Sequence, residues 1–221
     1  MKNTNDQSDP HLSYEPIVEA YASEDGDPAM NQRCNELFMQ SLPGMKVLEV
    51  GCGPGRDAAR LRDAGCDVTA IDLCQGFITF ATKSHSDIEF LTMDLQEPRF
   101  EDNTFDGVYG ASCFCHVEPR RIPDVLSKYL NILKPDGVLF LLLPDSNQVD
   151  RYVVEDWGGK VGNTVEIVCH HRDEMKKKVE EAGFVQVSIT PIHSPFYEEM
   201  PRLKKLGVRA YVVSGHKPTI E

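Results

Sequence analysis

The sequence predicts an α/β chain built on a doubly wound, mostly parallel sheet, and three stretches carry that prediction. Lys46-Val47-Leu48-Glu49-Val50 is a short apolar run that breaks into three alternate glycines, Gly51, Gly53 and Gly55. A helical pattern, Asp57-Ala58-Ala59-Arg60-Leu61-Arg62, starts at once. Strand, tight glycine turn and helix form the first βα unit of such a sheet, where nucleotide-like ligands sit at the strand's carboxyl end. Val68-Thr69-Ala70-Ile71 repeats the strand signal and ends on Asp72, seventeen residues after Gly55. Val138 to Leu143 is apolar throughout, as expected of a central strand buried on both faces.

The elements follow in order. Residues 1–12 are polar and read as a mobile tail. Tyr14 and Tyr21 lie seven apart, on one face of a helix, where both rings can pack onto the domain. Asp27-Pro28 is an N-cap followed by a first-turn proline. The helix it opens runs to about Ser41, with Leu37, Phe38 and Leu42 in its buried stripe, and Pro43-Gly44 ends it. Ala64-Gly65 stops the helix after the glycine turn, and Asp67–Ile71 is the second strand. A helix over Gln75–Lys83 leads to strand three, Ile88–Met93, which delivers Asp94. After a turn at Glu101–Asn103, strand four covers Thr104–Tyr109 and runs into Gly110-Ala111-Ser112-Cys113-Phe114-Cys115-His116-Val117. Ile122–Leu133 is helical, Lys134–Gly137 is a turn, and Val138–Leu143 is strand five. Asp150–Gly162, with the only tryptophan at Trp157, reads as irregular, before a short strand at Thr164–Val168. A helix over Arg172–Ala182, a strand over Phe184–Ile189, a long connection over Pro191–Leu206 and a last strand over Val208–Val213 complete the chain.

Composition narrows the function classes. A length of 221 residues suits one α/β domain with a full core, and 41% hydrophobic against 26% charged residues is the balance of a soluble globular protein. The formal charge of −12 would repel a phosphate backbone, so nucleic acid is not the expected partner. Arg202, Lys204, Lys205 and Arg209 form a local basic cluster, read as a solvated face. No apolar run reaches the roughly eighteen residues that a membrane span needs. The start, Met1 to Asp6, lacks an apolar signal region. Seven scattered cysteines, an odd number, read as reduced thiols of a cytoplasmic protein. Cys113, Cys115 and His116 have no second Cys/His cluster at zinc spacing, so no metal is expected.

The glycine spacing selects among nucleotide sites. A dinucleotide fingerprint needs glycine at the sixth position, held here by Arg56, and the Gly-Lys-Ser/Thr end of a P-loop is missing. A ligand-free glycine turn is the competing reading, weakened by Asp72, a carboxylate placed to accept both hydroxyls of a ribose. Glu49-Val50-Gly51-Cys52-Gly53-Pro54-Gly55 resembles motif I of the class I S-adenosylmethionine-dependent methyltransferases, an acid followed by G-x-G-x-G. The resemblance spans about residues 14–215 and is strongest over 46–143. At the end of strand four it excludes the Asn/Asp-Pro-Pro-Tyr tetrapeptide of enzymes that methylate DNA or glutamine. Ala111-Ser112 with His116-Val117 instead resembles the small-molecule methyltransferases, including the tellurite and thiopurine-type relatives.

The resemblance implies a Rossmann-like, seven-stranded sheet with helices on both faces and the last strand antiparallel. It implies one domain over 13–221: cap helices over 13–42, a cofactor half over 45–143 and an acceptor half over 144–217. S-adenosylmethionine is the implied cofactor. Gly51, Cys52, Gly53 and Gly55 would cradle it, and Glu49 would order the loop and meet its amino group. Asp72 and the adjacent Leu73 would hold the ribose, and Asp94 with the backbone N–H of Leu95 the adenine. Gly110 and Ala111 would also contact the cofactor, while Tyr14 and Tyr21 close over the methionine end. The insertion over 150–162 would wall the acceptor pocket, and whether 144–162 and 191–206 form a lid is left open by the sequence. Asp136 departs from the family's usual Pro-Gly-Gly, in the turn and away from the site.

The methyl of that cofactor sits on a sulfonium, so alignment of acceptor and methyl, an effect reaching roughly 7–11 kcal/mol, carries most of the rate. A general base adds on the order of 10²–10⁴-fold where the acceptor is protonated. His116 is the first candidate for that base, and its alternative role is to organise the loop. His170 and His171 are second candidates. Thiol capture of arsenite by Cys113, Cys115 and Cys169 does not match the spacing of that family. Aminopropyl transfer would need an acid where Gly110-Ala111-Ser112 stands. The expected acceptor is a small molecule, with a monomer or homodimer as the working form. A non-catalytic cofactor-binding subunit and a protein methyltransferase are the alternatives.

Overall fold

The computed structural model describes residues 11–24 and 27–219. The expected tail over 1–12 therefore lies outside the described residues except at its end, where α1 (His11–Tyr14) begins. A single 3₁₀ turn links α1 to α2 (Val18–Ser23). In α3 (Pro28–Ser41) the Asp27 carboxylate accepts from the Met30 N–H at 3.0 Å, and Pro28 occupies the first turn. That is the predicted cap, worth about 1 kcal/mol.

The main sheet has seven strands: β1 (Lys46–Val50), β2 (Asp67–Asp72), β3 (Glu89–Thr92), β4 (Phe105–Ala111), β5 (Leu133–Asp145), β8 (Val185–Ile192) and β9 (Arg209–His216). Their order is β3-β2-β1-β4-β5-β9-β8, and β9 pairs antiparallel with both of its neighbours. This is the Rossmann-like, doubly wound sheet with an antiparallel last strand that the sequence predicts. Between β1 and β4 the winding reverses, which opens a crevice at the carboxyl ends of the strands. The helices α4 (Arg56–Asp63), α5 (Gln75–Ser84), α6 (Ile122–Ile132) and α7 (Arg172–Glu181) complete the layers. Alternation along β1 splits its side chains between two cores: Val47 packs with Phe38 and Tyr109, Leu48 and Val50 with Val108 and Tyr129. Leu37 and Leu42 are half-buried at the edge of the first core, beside the fully buried Phe38.

Four expectations need correction. Tyr14 and Tyr21 do not share one helix: Tyr14 ends α1, a 3₁₀ turn with Pro16 intervenes, and Tyr21 lies in α2. The stretch read as irregular contains β6 (Arg151–Glu155), which pairs antiparallel with β7 (Thr164–Val168) in a separate ribbon. No residue of β6 is buried, and Arg151-Tyr152-Val153-Val154-Glu155 does not alternate polar with apolar, so the strand carries little local signal. The turn at Lys134–Gly137 belongs to β5, which starts at Leu133 opposite Phe105 and bulges before Gly107 pairs with Val138. The turn is held by backbone bonds between Asp136 and Lys217 and between Lys217 and Gly137. The long connection after β8 folds into two short helices, α8 (Pro195–Glu199) and α9 (Pro201–Lys205), each opened by a proline. Among the described residues no helix is long and apolar enough to cross a membrane.

Candidate functional site

The glycine turn lies at the mouth of the crevice. Gly51, Gly53 and Gly55 have φ of 65°, 53° and 85°. Gly51 is required twice over: its backbone is left-handed, and a Cβ there would stand 2.3 Å from the Cβ of Cys113. Gly53 is different, because a Cβ would meet nothing nearer than the Tyr21 ring at 4.0 Å. One side of the loop is thus open under a tyrosine.

Two carboxylates mark the next strand tips. Asp72 accepts from the Gly53 N–H and the Cys74 N–H, both at 2.8 Å, so it ties the glycine loop to the end of β2. Burial raises its pKa, and the backbone donors of Cys74, Gly53 and Leu73 oppose that shift. Leu73 beside it is 38% exposed, an apolar surface at the crevice. Asp94 follows β3 and accepts from Gln96 N–H at 2.8 Å, while the Leu95 carbonyl accepts from the Tyr129 hydroxyl at 2.5 Å. Glu49 points to the α3–α4 side. It is 97% buried, and one of its oxygens, Oε2, has no hydrogen-bond partner. Gly110 and Ala111 end β4 beside Val50. Cys52 is buried within the loop.

The N-terminal segment covers this face. Tyr14 and Tyr21 meet edge-on at 5.7 Å, and both pack on Phe77 and Trp157. Arg56, where a dinucleotide fold has glycine, donates to the Tyr21 carbonyl and lies over its ring at 5.4 Å. The Gly76 N–H donates to Glu15 at 3.1 Å, a second fastening. The β6–β7 ribbon closes the other side: Ser13 donates to the Thr164 carbonyl, and Asn163 donates to the Ser13 carbonyl. Phe77 and Glu15 carry no signal in the sequence, and Trp157 and Arg56 stand out there only as the lone tryptophan and as the break in the dinucleotide fingerprint. The lone tryptophan beside Gly158-Gly159 was the available signal; the rest depend on tertiary contact.

His116 joins the two halves. Its Nε2 lies 3.0 Å from the Tyr14 hydroxyl, and its ring meets Tyr14 edge-on at 5.6 Å. Burial lowers its pKa to about 4, partly offset by the backbone of Glu166 beside it. Its Nδ1 is buried without a well-formed hydrogen bond, as is the indole nitrogen of Trp157. Burial raises the Tyr14 phenol well above its ordinary value. The pair is therefore neutral near pH 7. Tyr197 of α8 faces Ser112 on the same side, next to Tyr152 and Cys115.

The other candidates are elsewhere. His170 is buried against the Phe114 carbonyl at 3.0 Å, and His171 lies between Asp145 and Asp150. Both line a cavity of about 390 Å³ with Arg151 and Lys178, apart from His116. Cys115 donates to the Ser112 carbonyl at 2.9 Å, and Cys113 packs on Gly51, so the thiols do not converge on one point. Among the described residues no group of three or more His, Cys, Asp or Glu could hold a metal ion.

Residues 47–137 match the family described as "Methyltransferase domain". The chain is 34% identical over 100 residues to a demethylmenaquinone methyltransferase of Renibacterium salmoninarum, covering 45% of this chain and 41% of that one. It is 29% identical over 147 residues to phosphoethanolamine N-methyltransferase 3 of Arabidopsis thaliana, covering 64% and 29%. The chain thus spans less than half the length of these curated relatives. Among solved structures, the Burkholderia thailandensis 1,6-didemethyltoxoflavin-N1-methyltransferase with S-adenosylhomocysteine aligns at TM-score 0.67 and 20% identity, covering 94% of this chain and 84% of that one. The [4+2]-cyclase SpnF aligns at 0.72 and 16% identity, covering 95% of both. Identities this low establish the fold alone, and the cyclase illustrates that one fold hosts several chemistries.

Proposed function

We propose, from the premise that this chain belongs to the class I S-adenosylmethionine-dependent methyltransferases, that it is an enzyme that transfers a methyl group to a small-molecule acceptor. The observation that carries this reading is the alignment of the open glycine loop with Asp72 and Asp94 on three adjacent parallel strands. The fit to the cofactor can be tested on the residues present. Asp72 retains acceptor capacity for ribose hydroxyls, exposed Leu73 offers an apolar face to a base, and the unpartnered oxygen of Glu49 suits a cationic amine.

Bound there, S-adenosylmethionine would supply a methyl on a cationic sulfur, open to in-line attack. The chain's own task is alignment and exclusion of water. Tyr14, Tyr21, Phe77 and Trp157 form an aromatic wall suited to both. Tyr14 holds His116 by its hydroxyl, so the imidazole is oriented in the site. A base with a pKa of about 4 is weak. It can still take the proton of a nucleophile that becomes acidic as its new bond forms, so its role is largely positional. Relatives named for demethylmenaquinone and phosphoethanolamine support a metabolite as acceptor.

Calorimetry with S-adenosylmethionine and S-adenosylhomocysteine tests the reading. Micromolar binding that weakens at least tenfold in Asp72→Ala is the expected result, because each lost charge-assisted hydrogen bond costs about 1.5–3 kcal/mol. No binding of either ligand by the wild type would overturn it.

A further inference from the structure

The acceptor side of the crevice carries hydroxyls that the alignment of the cofactor does not use. Ser112, just past β4, holds a left-handed backbone with φ of 55°, a conformation that costs any residue with a Cβ and persists only where its surroundings fix it. Two bonds fix it here. Its N–H donates to the Leu142 carbonyl at 3.0 Å, and its carbonyl accepts from the Cys115 thiol at 2.9 Å. Its side chain faces the hydroxyl of Tyr197 on α8, whose ring is buried.

Tyr197 stands beside Tyr152 and Cys115, and Tyr152 packs with Tyr14 and Trp157 in a small satellite core. Ser112, Tyr14, His116, Tyr152 and Trp157 are each half-buried, so the cluster keeps an open side. Among the described residues the hydroxyls of Tyr152 and Tyr197 are not sealed without a partner, as that of Tyr109 is. Burial raises both phenols above their ordinary value, so both are protonated donors near pH 7. Two cations come near, and each is committed to a backbone carbonyl: Arg56 to that of Tyr21, and Arg202 to that of Val153 at 2.5 Å. A phosphate or carboxylate brought here would lose its water and gain no counter-ion, which costs far more than burying a hydroxyl that finds a partner.

We propose that the acceptor is an uncharged aromatic ring carrying a hydroxyl, a phenol or quinol, and that Ser112 and Tyr197 are the residues that read this hydroxyl. The proposal rests on the function proposed above and adds to it a substrate class and two specificity residues. Tyr152 and Trp157 offer rings to the acceptor's ring, a contact favoured beyond the area it buries. Each of the two hydroxyls, on Ser112 and Tyr197, can donate to the acceptor's oxygen or accept from it. The Tyr14–His116 pair adds a neutral hydroxyl and imidazole on the same face, so every partner offered there is uncharged.

Two substitutions separate recognition from folding. Tyr197→Phe keeps the buried ring and removes its hydroxyl. Ser112→Gly removes the other hydroxyl at a backbone angle that glycine adopts freely, so it relieves strain. Each loses one neutral hydrogen bond to the acceptor, a weakening of about three- to tenfold.

The test is calorimetry at pH 7 on the chain saturated with S-adenosylhomocysteine. Phenol and 2-naphthol are the uncharged probes, and phenyl phosphate and 2-naphthyl phosphate are their charged counterparts. The uncharged probes should bind, 2-naphthol the more tightly, and each phosphate should bind about tenfold or more weakly than its parent. Tyr197→Phe and Ser112→Gly should weaken 2-naphthol by the factor above, and their binding of S-adenosylhomocysteine shows that they fold. A phosphate that binds as tightly as its parent overturns the proposal and leaves the proposed function standing. So does a lack of binding by both uncharged probes, or an unchanged affinity for 2-naphthol in both variants. No binding of S-adenosylhomocysteine by the wild type overturns the proposed function and this inference with it. If Tyr197→Phe does not fold, Ser112→Gly and the comparison of probes on the wild type decide.

Discussion

Gly51→Ala isolates the steric logic of the glycine turn. The alanine Cβ would stand 2.3 Å from the Cβ of Cys113, and the backbone would have to hold φ near 65°. Left-handed backbone costs a non-glycine residue about 1–2 kcal/mol. Forcing a methyl into a filled space adds roughly 1–3 kcal/mol, because Cys113 is attached at the clashing atom and cannot rotate away. The expected loss is about 2–5 kcal/mol, or a fall in Tm of about 4–20 °C for a chain of this size. Urea denaturation and thermal melting measure it, and calorimetry should show the cofactor site lost with it, since Gly53 and Asp72 are bonded to each other in the same turn. Cys113→Gly removes the clashing atom but not the backbone strain, so the double variant should recover the steric part, a coupling of about 1–3 kcal/mol. An alanine that melts and binds like wild type would refute the reasoning, as would a cycle with no coupling.

Tyr14→Phe keeps the ring contacts but leaves His116 Nε2 without its partner, and should cost about 1–3 kcal/mol in chemical denaturation. With His116 pushed down to about 4, the unfolded chain binds more protons than the folded one between about pH 4 and 6.5. Stability should therefore drain away as pH falls through that window, by about 3 kcal/mol in all, and His116→Gln should flatten the slope in a pH series of melts. Trp157→Ala removes an edge-on contact to Tyr14 and a tilted one to Tyr21, worth about 0.5–1.5 kcal/mol each, and should weaken cofactor binding more than it lowers Tm. Because Trp157 is the only tryptophan, its fluorescence in the wild type should change on cofactor binding; an unchanged spectrum would place it outside the closing face.

The secondary structure of the cofactor half was legible because each signal there is local. Three alternate glycines after an apolar run, an acid at the next strand's end and a capped helix are spacings that the backbone alone dictates. The same locality explains the misreadings. β6 alternates only weakly, so its pairing with β7 was hidden until the two strands met. The turn at Asp136 became part of β5 because Lys217, eighty-one residues on, bonds across it.

Sequence by itself determined the first βα unit, the glycine turn and the position of Asp72 at a strand tip, because each depends on residues near in the chain; the seven-stranded order with its antiparallel last strand followed only from the family resemblance. Tertiary structure alone decided which side chains share the site. It brought Tyr14 onto His116 across 102 positions, Arg56 onto Tyr21, and Trp157 onto both tyrosines. It also left Glu49 without a counter-ion, a fact of packing between α3, α4 and β4 that no spacing in the chain records. Local geometry is written in neighbouring residues; charge balance in a buried site exists only once distant segments have excluded the water between them.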